Sequence, residues 1–339
     1  MTSSASTTDP YPSYNELLDR RDGPPGSSWG VFGADDQLGT LNFLRLADLT
    51  ESSMSVSAGQ AFSLDLRSDS ISPSLAPTRE PLRHYIFQRT PFHRDEWLDG
   101  FYTQYGSQID GLRHIAHPDH GFYNGADGST FLPGTESLSI HHLAGLPVVG
   151  RAVLVDLDRF TCATEAPLNH ESGQPVPLST VTAALDFQGT TVRPGDILLL
   201  RFGWLDHYRN VGGPEWRANL ATKQFHTGLL QTEDFPRWLW DQRIAMVAAD
   251  NFAVECWPAQ PTTPFRSVAE CQGETGDPHA GIMHRSLIGL LGMPLGELWD
   301  LDDLAAACAA EGRYDCLLTV SPLPLVGGVG SPANATAVR

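Results

Sequence analysis

Short apolar runs bounded by turn residues recur along the chain, at 61–66, 152–157, 197–200, 246–249 and 316–320, and each predicts a β-strand. Helical patterning lies between them, at 234–242, 284–292 and 302–310. Pro194-Gly195-Asp196 reads as a turn feeding the apolar strand that begins at Ile197. The last strand runs into Pro322, Pro324 and the glycines Gly327, Gly328 and Gly330, a tail expected to run along the sheet and return to the surface. Strands and helices are interspersed throughout, with no internal repeat and no long linker. The pattern predicts one compact α/β domain over residues 13–339, with a mixed β-sheet core and flanking helices, behind a disordered tail at 1–12.

Composition narrows the setting. Among 339 residues, 41% are hydrophobic and 9% aromatic, enough to bury a large core. The net charge is −18 with no run of Lys and Arg, which argues against nucleic acid as a partner. The polar start, 1–12, lacks the basic and apolar regions of a secretory leader, and no apolar run approaches the ~20 residues that span a bilayer. The five cysteines are odd in number and scattered, with no CxxC pair. The expectation is a set of buried thiols in a reducing cytoplasm, with no membrane contact.

The densest polar constellation is Gln104-Tyr105-Gly106-Ser107-Gln108-Ile109-Asp110-Gly111-Leu112-Arg113-His114. If 104–110 is extended, Gln104, Gln108 and Asp110 share one face, and Gly106 leaves room for an ion or a substrate to approach. A helical turn after Asp110, itself a good cap, would bring His114 over the same side. A strand end with a capping aspartate and surface amides is the competing reading of this spacing.

The same segment resembles the H-x-G-T-H-x-D-x-x-x-H signature of the cyclase family, which includes bacterial kynurenine formamidases and isatin hydrolases. Here it reads Q-x-G-S-Q-x-D-x-x-x-H. Further elements resemble one long-chain branch of that family: Trp29-Gly30 through Asn42, Phe122-Tyr123-Asn124-Gly125, Gly195 through Arg201, Ala249-Asp250-Asn251, and Gly330-Ser331-Pro332 with Asn334. The resemblance implies a swivelling β/β/α fold and one or two divalent metal ions. It implies metal ligands at Asp110, His284 and Glu297, with Gln108 and Gln104 standing where the family has histidines. His114 would be the catalytic acid/base. The implied activity is hydrolysis of an amide, cyclic amide, ester or lactone bond in a small, aromatic or similar substrate, by a homodimer or larger homo-oligomer. A lyase or cyclising enzyme and a metal-free binding protein are the alternatives on the same fold. Amide oxygen is a weaker zinc ligand than imidazole, so the glutamines shift the expected ion from Zn²⁺ toward Mn²⁺ or Mg²⁺. Tyr102, Tyr105, Arg113, Phe122, Tyr123 and Trp257 are candidates for the substrate-pocket wall.

Other signals carry less. Pro118 breaks any helix that would align His117 and His120 with His114, and extended His141 and His142 would point apart. Gly26-Ser27-Ser28-Trp29-Gly30 matches a nucleophile elbow but follows Pro24-Pro25 rather than a strand. No phosphate-binding glycine motif occurs.

Overall fold

The arrangement of the chain was taken from a computed structural model, which describes residues 10–47, 49–53, 56–146, 148–164, 166–223, 225–274 and 276–339. Among these described residues there are thirteen strands: β1 (Ala61–Ser63), β2 (Arg83–Thr90), β3 (His93–Asp99), β4 (Gln108–Asp110), β5 (Val148–Asp156), β6 (Pro175–Val176), β7 (Ile197–Arg201), β8 (Gly228–Leu229), β9 (Met246–Ala249), β10 (Leu295–Glu297), β11 (Asp315–Val320), β12 (Gly330–Pro332) and β13 (Ala335–Val338). Nine of them make one sheet in the order β1-β13-β11-β5-β7-β9-β10-β4-β12. β5, β7, β9 and β10 run parallel at its centre, and the flanking strands pair antiparallel.

The central strands are near-continuous apolar runs because both faces of the sheet are covered. Alternation divides them between two cores. Val153, Val155, Leu198, Leu200, Val247 and Leu295 face one side. Ala152, Leu154, Ile197, Leu199, Met246 and Ile109 face the other. Helix Leu178–Gln188 buries Val181, Ala184 and Leu185 and stops at Gly189 in the left-handed conformation. Helix Asp302–Glu311 has two aspartates in its first turn and ends on left-handed Gly312. No helix among the described residues is long and apolar enough to cross a membrane.

All five expected strands are present with shifts of a few residues at their ends, as are helices Asp234–Asp241 and Asp302–Glu311. Three expectations differ. The 284–292 segment forms a π-helical stretch, Arg285–Leu290, rather than a regular helix. The tail reaches the surface at 324–326 and Val329, as expected, but does not end there: it goes on to supply β12 and β13, and Arg339 is fully buried. Cys162 and Cys271 are exposed, unlike the other three cysteines. Of the expected N-terminal tail, 1–9 lies outside the described residues, whereas Pro12 already accepts a hydrogen bond from the Trp240 indole (2.8 Å) and Tyr11 stacks edge-on against Phe43.

Candidate active site

β4 and β10 lie side by side with Leu295 opposite Asp110 and Glu297 opposite Gln108. In a pleated pair this register puts Gln108, Asp110 and Glu297 on one face, while Ile109 points into the opposite core. β12 backs β4 from its other edge, Gly330 opposite Asp110, and a side chain on Gly330 would collide with Gln104 Cδ at 2.8 Å. The backbones are tied further where the Ser107 hydroxyl donates to Leu298 O (2.6 Å) and the Trp299 indole donates to Gln108 O (2.9 Å). Ala253, Val254 and Leu298 sit at positive φ beside Glu255 and Glu297, strain of a kind that gathers at functional sites.

His284 enters from the cap of the π-helical stretch, already in helical conformation. One ligand atom from each of Asp110, His284 and Glu297 lies within 4.8 Å of the other two, and all three residues are buried. His284 Nδ1 donates to Glu255 Oε1 (2.6 Å), whose carboxylate also accepts from the backbone N–H of Met283 (2.7 Å) and His284 (2.8 Å). His284 Nε2 faces Glu297 Oε1 at 3.1 Å. Burial alone would lower the imidazole's affinity for a proton, but Glu255 and Glu297 outweigh it and raise the pKa to about 10. Burial opposes ionisation of Glu297 as well, yet its bond to His284 holds that carboxyl below the usual range. Burial pushes the Asp110 carboxyl up, and its Oδ2 has no hydrogen-bond partner although fully buried.

This donor set fits a divalent cation. The pocket gathers three carboxylates around one imidazole and favours positive charge where Asp110, His284 and Glu297 converge. The Glu255–His284 contact is the outer-shell arrangement that orients a ligating histidine. Both glutamines turn amide nitrogens inward, contrary to the expectation that their oxygens would ligate. Gln108 Nε2 donates to Glu297 Oε2 (2.8 Å), and Gln104 Nε2 donates to Asp110 Oδ1. Carboxylate oxygens facing them select that orientation, since an amide oxygen there would be repelled.

Gln104 Nε2 also approaches His114 Nδ1 at 3.1 Å, and His114 Nε2 lies 3.7 Å from Asp110 Oδ2. Nδ1 thus faces the Gln104 amide and Nε2 the Asp110 carboxylate. Gln104 reaches these partners from a turn, not from a strand, because only 108–110 is extended. His114 arrives through one tight turn, its N–H donating to Gly111 O (3.0 Å).

His114, Gln108, His284 and Glu297 line a cavity of about 520 Å³. Its walls include Pro77, Ile115, Phe252, Trp257 and Ile282, and Arg79 is its one Arg or Lys among the described residues. Arg79 donates to Gln104 O and, at 3.5 Å, to Gln108 Oε1, with its guanidinium 5.9 Å from the centre of the Phe252 ring.

The Cyclase family model matches residues 68–256, more than half of the chain. A crystal structure described as a novel cyclase superposes with a TM-score of 0.77 at 30% identity, over 92% of this chain and 99% of that one. This chain belongs to the Cyclase family. Isatin hydrolase A from Ralstonia solanacearum shares the fold at a TM-score of 0.55 and 14% identity, over 83% of this chain and 92% of that one. An isatin hydrolase bound to the product analogue thioisatinate does so at 0.50 and 14%, over 82% and 91%. No curated protein matches.

Within this Cyclase-family chain the matched segment holds Asp110, His114 and Glu255, while His284 and Glu297 come from beyond it. Several flanking motifs prove to be scaffold. Asp36 accepts from Gly39 N, Asn42 Nδ2 and the Tyr123 hydroxyl, and Asn124 Oδ1 accepts from Gly30 N. Gly39, at φ +57°, lies so close to Gly292 O that a Cβ would sit 1.8 Å away. Ser28 is buried, its hydroxyl donating to Leu291 O (2.9 Å), so it is no exposed nucleophile.

Of the six expected wall residues only Trp257 lines the cavity. Tyr102 and Tyr105 border a separate cavity of about 190 Å³. Arg113 is buried, bonded to the Ser137, Thr135 and Gly327 carbonyls over the Phe131 ring. Phe122 packs edge-on against Phe131, and Tyr123 is wholly within the core. Alternation cannot place these residues, because they lie on turns. Arg79, Phe252 and Glu255 were missed for the converse reason: each sits on a loop whose path depends on distant contacts. The Glu255 signal was present in the sequence only as an acid among apolar neighbours, Phe252 to Trp257.

Proposed function

We propose that this protein is a divalent-metal-dependent hydrolase that cleaves an amide, cyclic amide, ester or lactone bond of a small substrate with an aromatic or otherwise apolar body. The convergence of Asp110, His284 and Glu297 within 4.8 Å, with His284 and Glu297 lining one cavity together with His114, carries this reading. A hard ion suits two carboxylates and one imidazole, so Mn²⁺ is preferred over Zn²⁺ and Mg²⁺. Such an ion, when bound, supplies Lewis-acid polarisation of a carbonyl.

The chain's own groups supply the rest. Pro77, Phe252, Trp257 and Ile282 hold the apolar body of the substrate. Arg79 offers the cavity a fixed positive charge for an anionic substituent or for the oxygen that gains charge in the transition state. His114 takes up a proton from the attacking water and passes it on to the departing nitrogen or oxygen, while Gln104 Nε2, 3.1 Å from its Nδ1, orients the ring. Water adds its oxygen to the carbonyl carbon, and its protons end on the leaving group and on the new acid. A reducing cytoplasm is the setting this reading assumes.

The test is a panel of cyclic amides, aryl formamides, aryl esters and lactones incubated with Mn²⁺-loaded protein in ¹⁸O-labelled water. One solvent oxygen in the product is expected. Turnover without label would replace hydrolysis by lyase or cyclising chemistry. Failure to bind Mn²⁺, Zn²⁺ or Mg²⁺ would leave the metal-free binding protein.

A further inference from the structure

Arg79 differs from other arginines of this chain in how its charge is used. Arg151, Arg201, Arg209 and Arg285 each hold two or more carboxylates. Arg113 instead spends all three of its nitrogens on the Ser137, Thr135 and Gly327 carbonyls. Arg79 does neither. Only its Nη1 is engaged, with Gln104 O and, at 3.5 Å, with Gln108 Oε1, both uncharged oxygens. Among the described residues no carboxylate pairs with it, and its Nε and Nη2 have no protein partner. Those two nitrogens form one edge of the guanidinium, the edge that grips a carboxylate through two parallel bonds. A residue lining the cavity thus brings a permanent positive charge with its bidentate edge uncommitted.

Gln108 relates that edge to the cation site. Its Oε1 accepts from Arg79 while its Nε2 donates to Glu297 Oε2 (2.8 Å), so a single amide group separates the guanidinium from Glu297. On its other side the guanidinium stands 5.9 Å from the centre of the Phe252 ring, part of the wall that takes the apolar body. Polarisation of the scissile carbonyl belongs to the cation, which leaves Arg79 for a second group of negative charge. The rival role is to balance the acid cluster, since Arg79 helps to keep the Glu297 carboxyl ionised.

We propose that Arg79 sets the specificity of this site by clamping a carboxylate that the substrate carries a few bonds from its scissile carbonyl. The preferred substrates are then acidic aryl amides or esters, with the ring against Phe252. The inference rests on the hydrolase reading above and narrows it.

Paired substrates test it: 2-formamidobenzoate against formanilide, and 2-acetoxybenzoate against phenyl acetate, with Mn²⁺-loaded wild type, Arg79→Gln and Arg79→Lys. The wild type is expected to favour the acid of each pair in kcat/KM by about tenfold or more. In Arg79→Gln that ratio should fall by about 10–100-fold, through KM, as one charge-assisted pair is lost. Arg79→Lys should recover part of the ratio, because an ammonium keeps the charge but not the paired geometry. A wild type that cleaves both members alike overturns the clamp and leaves the hydrolase reading standing. So does an Arg79→Gln variant that slows both members equally, which would assign Arg79 to charge balance at Glu297. If neither member of either pair turns over, the hydrolase reading is in question and binding decides the clamp. Calorimetry should then show 2-formamidobenzoate binding the purified wild type about tenfold or more tighter than formanilide, a preference lost in Arg79→Gln. Equal binding of the two would overturn the clamp as well.

Discussion

Two of the ionic clusters packed into this protein are built on opposite terms. Around Arg151, every charge meets its complement: the guanidinium holds Asp196 at 2.6 Å and Asp315 at 3.0 Å, and Arg313 closes the far side of Asp315 at 2.6 Å. Around His284, acids exceed bases, amide groups cap the outer oxygens, and Asp110 Oδ2 is left without a donor. Burial costs charge dearly in both places. The first cluster offsets that cost internally and fixes β5, β7 and β11 in register. The second leaves part of it standing, and an uncompensated acid cluster in a cavity calls for something from outside. Polarity and burial alone do not separate structure from function here; the balance of partners does.

That contrast can be broken experimentally. Glu297→Ala, His284→Ala or Asp110→Ala should each weaken Mn²⁺ binding by more than the roughly 10–100-fold that loss of an outer-shell group costs, read by titration calorimetry. Retained affinity in any of the three would remove that residue from the ligand set. His114→Ala should slow turnover by about 10²–10⁴-fold while leaving both metal affinity and melting temperature unchanged. Arg151→Ala should do the reverse, lowering unfolding stability by about 3–5 kcal/mol in denaturant titrations with no effect on metal binding. Glu255→Gln should cost about 10–100-fold in Mn²⁺ affinity through the freed orientation of His284. The smallest effect sharpens the comparison most. Asp110→Asn in metal-free protein should leave stability unchanged or raise it by up to about 1 kcal/mol, since a neutral amide replaces an uncompensated carboxylate. A loss as large as that of Arg151→Ala would put the two clusters on the same footing.

The sequence made the sheet's centre legible because strands buried on both faces are short, apolar and bounded by turns, as at Ile197–Arg201 and Met246–Ala249. It did not disclose β10, β12 or the 83–99 hairpin. Three-residue strands carry too little periodicity, and an arm exposed on both faces has no inward side to mark. At the site, spacing brought Gln104, Gln108, Asp110 and His114 together, and resemblance to a family added His284 and Glu297 from far along the chain. Those six do meet. What spacing could not give was the direction of each amide, which is set by the carboxylate opposite it, or the cavity wall, which is assembled from loops at 76–79, 252–257 and 278–282.

The antiparallel register that sets Leu295 against Asp110 and Glu297 against Gln108 has one more consequence. The reactive centre is anchored in hydrogen-bonded ladder, where slipping by a single position would turn its acids to the opposite face, so descendants of this chain cannot adjust it gradually. The surrounding wall carries no such constraint. Diversification to new substrates is therefore channelled into the three loops, and exchanging them between relatives should retune selectivity while leaving the chemical step intact.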